Sequence, residues 1–127
     1  MKNYQVSHSP CPIGRAARIL GDRWTMLILR EALLGATRFE EFRERLDINR
    51  DALSSRLGIL QKAGLMTREP PSGKRALYIL TEAALALVPT YNELAEWGRQ
   101  HLFAEGEAPA RWPESSRAFN PASANDT

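Results

Sequence analysis

Apolar residues recur at three- and four-residue spacing through most of the first hundred positions, which predicts a series of helices. Ile13, Ala16, Ala17 and Leu20 form the first stripe. Pro12 suits the opening of that helix, because its missing N–H would be unpaired there, and Gly21 ends it. Asp22 is placed to cap a second helix, with Trp24, Leu27, Ile28 and the Leu33-Leu34 pair as its stripe and Gly35 as its stop. Thr37-Arg38-Phe39-Glu40 has capping-box spacing and starts a short helix, Arg38 to Leu46, that turns Phe39, Phe42 and Leu46 inward. Asn49 caps the next helix, whose buried face is Leu53, Leu57 and Leu60. Burying several such side chains at ~1.5–3 kcal/mol each docks it against the rest.

The pattern changes at Gly64. Leu65 to Glu69 and Ala76 to Leu80 read as two strands joined by Pro-Pro-Ser-Gly-Lys-Arg. Thr81 then caps a long final helix running to about Phe103, with Leu87, Val88, Tyr91, Leu94, Ala95, Gly98 and Leu102 at helical spacing. Pro89 is expected to kink it by removing one backbone donor. From Ala104 to Thr127 the periodicity fades into a loosely ordered tail, in which Trp112 and Phe119 are the residues able to dock. The expected division is therefore a domain over 10–103 and a flexible tail over 104–127. Helix, strand, basic glycine turn, strand is the order of a winged helix-turn-helix. The expected fold is mainly α with a small β-hairpin wing, extended by additional N- and C-terminal helices.

Composition narrows the class without deciding it. The 127 residues are 43% hydrophobic and 25% charged, ordinary for a soluble globular domain. The net charge is only +2. Local charge says more, since Arg43 to Arg75 contains eight basic residues against four acidic ones. The longest apolar run, Ala83 to Val88, is far short of a membrane span, and the polar, proline-containing start has no leader character. A single cysteine allows no internal disulfide. These features point to a cytoplasmic protein.

Candidate chemistry gathers on the helix after Asn49. Burying its leucines turns Arg50, Ser54 and Ser55 outward, with Arg56 and Asp51 at the edge. Hydroxyls that donate or accept, beside guanidinium groups that grip phosphate or guanine with two bonds, suit a major groove. Lys74 and Arg75 follow Gly73 at the wing tip, where with Arg68 they would hold phosphates; Arg38 lies beside them as a further DNA-binding candidate. An ordinary solvated face has the same composition, and it is the placement between short helix and wing that favours a DNA-reading face. Cys11 sits at a helix start where the dipole favours a thiolate, with Arg15 one turn on. It is a candidate sensor of oxidants, quinones or aldehydes, or else a small group packed at an interface. The seam along the last helix asks for a partner subunit, so Leu87, Tyr91, Leu94 and Trp97 are assigned to a dimer interface, to which the resemblance given below adds Ile13 of the first helix. Trp24, Tyr91 and Trp97 lining a ligand pocket is the alternative. His8 and His101 lie near opposite ends and no metal-ligand or phosphate-loop spacing exists, so no cofactor, metal or catalytic activity is expected.

These residues resemble the HxlR family of bacterial winged-helix transcription regulators, relatives of the MarR type, over about Pro10 to Leu102. The resemblance is carried by Cys11-Pro12, Gly21-Asp22-Arg23-Trp24-Thr25, Arg38-Phe39-Glu40-Glu41-Phe42 and Leu53-Ser54-Ser55-Arg56-Leu57 with Leu60. It continues through Gly64-Leu65, Tyr78-Ile79-Leu80-Thr81 and Glu96-Trp97-Gly98. It implies a homodimer on operator DNA, paired through its first and last helices. It also points to electrophile sensing at Cys11, which some members perform at this Cys-Pro position. Asp51 and Gly58 depart from the family pattern, which usually has polar or basic residues there. The expected partners are double-stranded DNA with a two-fold symmetric operator, a second copy of the chain and a small-molecule effector. Repression is the expected mode. The main rival is a winged-helix protein-interaction module with no DNA role, which Asp51 and the small net charge favour. A thiol-dependent enzyme lacks a base or metal beside Cys11.

Overall fold

A computed structural model describes residues 4–109 of the chain. The elements run in the order α1 (Pro12–Leu20), α2 (Arg23–Leu33), α3 (Phe39–Leu46), α4 (Arg50–Lys62), β1 (Met66–Glu69), β2 (Leu77–Leu80), α5 (Glu82–Leu85) and α6 (Val88–His101). Polar caps set most of the helix starts. The Asp22 carboxylate accepts from Thr25 N at 3.0 Å, Asn49 Oδ1 from Ala52 N at 2.8 Å, and Thr81 Oγ1 from Ala84 N at 3.4 Å. At α3 the cap lies one residue later than the sequence suggests. Glu41, not Glu40, reaches back to accept from Thr37 N and Arg38 N at 3.0 and 2.9 Å, which releases Glu40 to face outward.

The core is a three-sided stack of α2, α3 and α4 closed by the hairpin. Ile28 and Leu29 from α2, Phe42 from α3, Leu53, Leu57 and Leu60 from α4 and Met66 from β1 are fully buried. The buried residues of α2 include Thr25, Ile28, Leu29, Ala32 and Leu33, so Ile28 and Leu33 of the expected stripe are buried while Trp24, Leu27 and Leu34 are half-buried. Phe39 and Leu46 of α3 are likewise half-buried around Phe42.

The hairpin is antiparallel, with Met66 opposite Leu80 and Arg68 opposite Tyr78. Alternation puts Tyr78 and Leu80 on the core side. Tyr78 N donates to Thr37 O at 2.7 Å and Arg38 bridges to Leu77, so the entry to α3 extends the hairpin by a short third rung. Thr81 Oγ1 donates to Gly64 O at 2.7 Å and fastens the strand exit to the end of α4.

The final helix is not one kinked rod. α5 ends at Leu85, and α6 begins again at Val88 with Pro89 in its first turn, where the missing donor costs nothing. Tyr91 turns inward and donates from its hydroxyl to Met26 O at 2.7 Å, and burial pushes that hydroxyl's pKa well above the ordinary tyrosine value. α1 is the opposite case, since none of its residues is buried. Of the expected tail, 104–109 form a turn after α6, and Trp112 and Phe119 lie outside the described residues.

Candidate nucleic-acid interface

The helix-turn-helix unit is α3, the turn 47–49 and α4, with Asp47 in the left-handed region at φ 50°. α4 owes its orientation to Leu53, Leu57 and Leu60, whose burial presents the other side to solvent. Asp51, Ser55, Gly58 and Lys62 follow one another at four-, three- and four-residue spacing along that outer side, with Ser54 and Arg50 beside them. Ser54 is exposed and Ser55 half-buried.

The arginines are held in different ways. Arg50 is 64% exposed, its Nη2 lies 2.6 Å from Glu40 Oε1, and its guanidinium stands 5.7 Å from the Phe39 ring centre. Glu40 also takes Arg43 Nε at 2.6 Å. The Arg43 hydrogen bond is the largest influence on its carboxyl and, with help from Arg50, outweighs the opposing effect of desolvation and holds it below the ordinary range. Arg56 is only 18% exposed, and its Nε and Nη2 donate to the two carboxylate oxygens of Asp22 at 3.2 and 3.3 Å. It lies three residues after Leu53 and four before Leu60, so it shares the flank of the buried face and points at α2. The sequence spacing carried that signal; the partner, 34 residues away, it did not.

At the wing, Gly73 adopts φ 97°, a conformation open to glycine, and Arg75 adopts φ 60°. Arg68 turns back into its own hairpin, donating to Pro70 O at 2.7 Å and to Gly73 O. Arg38 Nη1 donates to Arg75 O at 3.0 Å and ties the wing to the start of α3. These two cations brace the loop. Lys74 and Arg75 are exposed at its tip, and neither side chain makes an ion pair among the described residues. The sequence-predicted set thus separates into an outward group on α4 and the wing tip, and a group already engaged within the fold, Arg56 with the Asp22 carboxylate and Arg68 and Arg38 with carbonyls of the wing.

The other candidates stand apart from this face. Cys11 is the exposed N-cap residue of α1, and Arg15 Nε donates to Ser9 O at 2.6 Å rather than toward the thiol. Ile13 is 78% exposed, Leu94 46% and Trp97 54%; Leu87 is half-buried, and Tyr91 belongs to the core of the chain itself. Of the aromatic residues considered for a pocket, Trp24 is half-buried, Tyr91 buried and Trp97 exposed. Among the described residues no cluster of His, Cys, Asp and Glu is arranged to hold a metal, and no helix is long and apolar enough to cross a membrane.

A family model for the HxlR-like helix-turn-helix matches residues 19–105. The HTH-type transcriptional regulator Rv3095 of Mycobacterium tuberculosis is 45% identical over 92 residues, which cover 71% of this chain and 58% of that protein. This chain thus spans little more than half the length of that relative. The HTH-type transcriptional regulator YodB of Bacillus subtilis is 30% identical over 99 residues, covering 75% of this chain and 88% of YodB. Among solved structures, PA1607 superimposes with a TM-score of 0.77 at 36% identity, over 87% of this chain and 79% of that one. Quinone-bound YodB superimposes with a TM-score of 0.61 at 32% identity, over 71% of this chain and 99% of YodB. The fold is a winged helix, and the chain belongs to the HxlR-like helix-turn-helix family of transcriptional regulators.

Proposed function

We propose that the protein is a homodimeric repressor, built on the domain 10–103, that occupies a two-fold symmetric operator in the cytoplasm. One observation carries the DNA reading. The outward side of α4 carries Arg50, Ser54 and Ser55, and the hairpin that follows it in the chain has Lys74 and Arg75 exposed at its tip. Serine hydroxyls and Arg50 read base edges, and the wing cations neutralise phosphates. Arg50 is exposed enough to exchange Glu40 for a phosphate as DNA approaches.

Support for the dimer comes from the flanking helices. Ile13 on α1 and Leu94, Trp97 and Leu102 on and after α6 are large apolar side chains exposed in the single subunit, and a second copy would cover them. Cys11 begins α1, so a thiol adduct there would act on that contact and alter the spacing of the two reading helices. YodB, a relative with a quinone-bound structure, lends this effector reading its chemistry.

A gel shift with random duplex at low salt tests the reading against the rival interaction module. Retardation that fades as salt rises is expected; no retardation at any salt removes the DNA role.

A further inference from the structure

Asp22 accepts four hydrogen bonds at one corner of the molecule. Its Oδ2 takes Thr25 N at 3.0 Å and Thr25 Oγ1 at 2.9 Å, and its two oxygens take Arg56 Nε and Nη2 at 3.2 and 3.3 Å. Both ion-pair partners are largely covered, at 17% and 18% side-chain exposure, and Thr25 is fully buried. The carboxylate therefore closes the α1–α2 corner onto the middle of α4. The corner itself is tight, since a Cβ at Gly21 would stand 2.5 Å from Ala17 O.

Resting on the DNA-binding reading above, we propose that Asp22 is a positioning residue for operator recognition, acting through Arg56 to set the tilt of α4. Arg56 then works as a strut rather than as a base reader. Swinging it into the groove would break two charge-assisted bonds and leave the Asp22 carboxylate uncompensated close to approaching phosphates. With the strut in place, the tilt of α4 decides whether Ser54, Ser55 and Arg50 meet base edges in register. The wing cations attract phosphate whatever that tilt is. Losing the strut should thus cost discrimination while sparing nonspecific attraction.

A mutant cycle on the full chain tests this with Asp22→Asn, Arg56→Gln and the double variant, at a temperature where circular dichroism shows all three folded. Asparagine still caps α2 through Thr25 N but offers Arg56 no charge. The readouts are affinity for an operator fragment selected from the source genome and affinity for a scrambled duplex at low salt. Each single variant is expected to bind the operator roughly tenfold more weakly, the double no worse than either, and the scrambled duplex unchanged. If Asp22→Asn binds the operator as tightly as wild type, or tighter, while Arg56→Gln weakens, Arg56 contacts DNA itself and the proposal is overturned. Losses that multiply in the double variant, or that fall equally on both duplexes, also overturn it. A wild-type protein that ignores every duplex is a separate result, which removes the DNA-binding reading and this inference with it.

Discussion

Gly58 lies on the outward side of α4, and a Cβ built there meets nothing within 4 Å. The helix therefore carries the entropic cost of glycine without a steric need for it. Gly58→Ala is expected to stabilise the domain by about 0.5–1 kcal/mol, read as a higher denaturation midpoint with an unchanged m-value. A lower midpoint would mean that α4 is packed differently from the structure described. Asp22 shows the opposite economy, one side chain serving two elements. Burial alone would raise its carboxyl pKa, but hydrogen bonds from Arg56 and Thr25 outweigh that and hold it below the ordinary value of 3.8. The fold favours the ionised form, so this contribution is complete above 3.8 and disappears as pH falls through the lower folded value. The stability gap between wild type and Asp22→Asn should then hold steady above about pH 5 and narrow as urea titrations are carried down to about pH 3. A gap that is constant or widens toward acid contradicts the ion pair.

Among elements, the wing makes the sharpest separation between look-alike cations. Arg68 and Arg38 hydrogen-bond to the loop's own carbonyls, whereas Lys74 and Arg75 project from the tip. Lys74→Ala combined with Arg75→Asn should lower the slope of log affinity against log salt by about two, near 0.9 for each phosphate no longer neutralised. Asparagine is chosen at 75 because the backbone there has φ 60°. An unchanged slope would show that the tip is clear of the backbone. The starts of α2, α4 and α5 were readable in the sequence, because Asp22, Asn49 and Thr81 each need only a local partner. Less was readable where partners are distant or neighbours compete. Both Glu40 and Glu41 can close the box at α3, and the backbone geometry selects Glu41. A periodic stripe across Pro89 looks continuous although the ring starts a new helix there. Tyr91 has the spacing of an interface residue, yet a hydrogen bond to Met26, 65 positions away, draws it inward. Of the candidate site, the outward α4 face and wing tip were legible. The place of Arg56 at the flank of the buried face was legible in its spacing, but its partner Asp22, 34 residues away, was not.

At the scale of the molecule, the family, the winged-helix fold and the exposed apolar side chains of α1 and α6 frame a two-fold assembly proposed on the operator. In that account Cys11 acts through α1, so an electrophile such as a quinone should release operator from wild type and leave Cys11→Ser bound. Equal release from both would assign the effect elsewhere. In the proposed assembly two α4 helices, held at a fixed separation, read successive turns of one duplex. Footprinting on an operator fragment selected from the source genome, with the protein-to-DNA stoichiometry measured in the same complex, tests it most directly. The expected result is two subunits per duplex protecting an inverted repeat whose half-sites are centred about 10 base pairs apart or a multiple of that. Protection by a single subunit, or protection without a repeat, would contradict it.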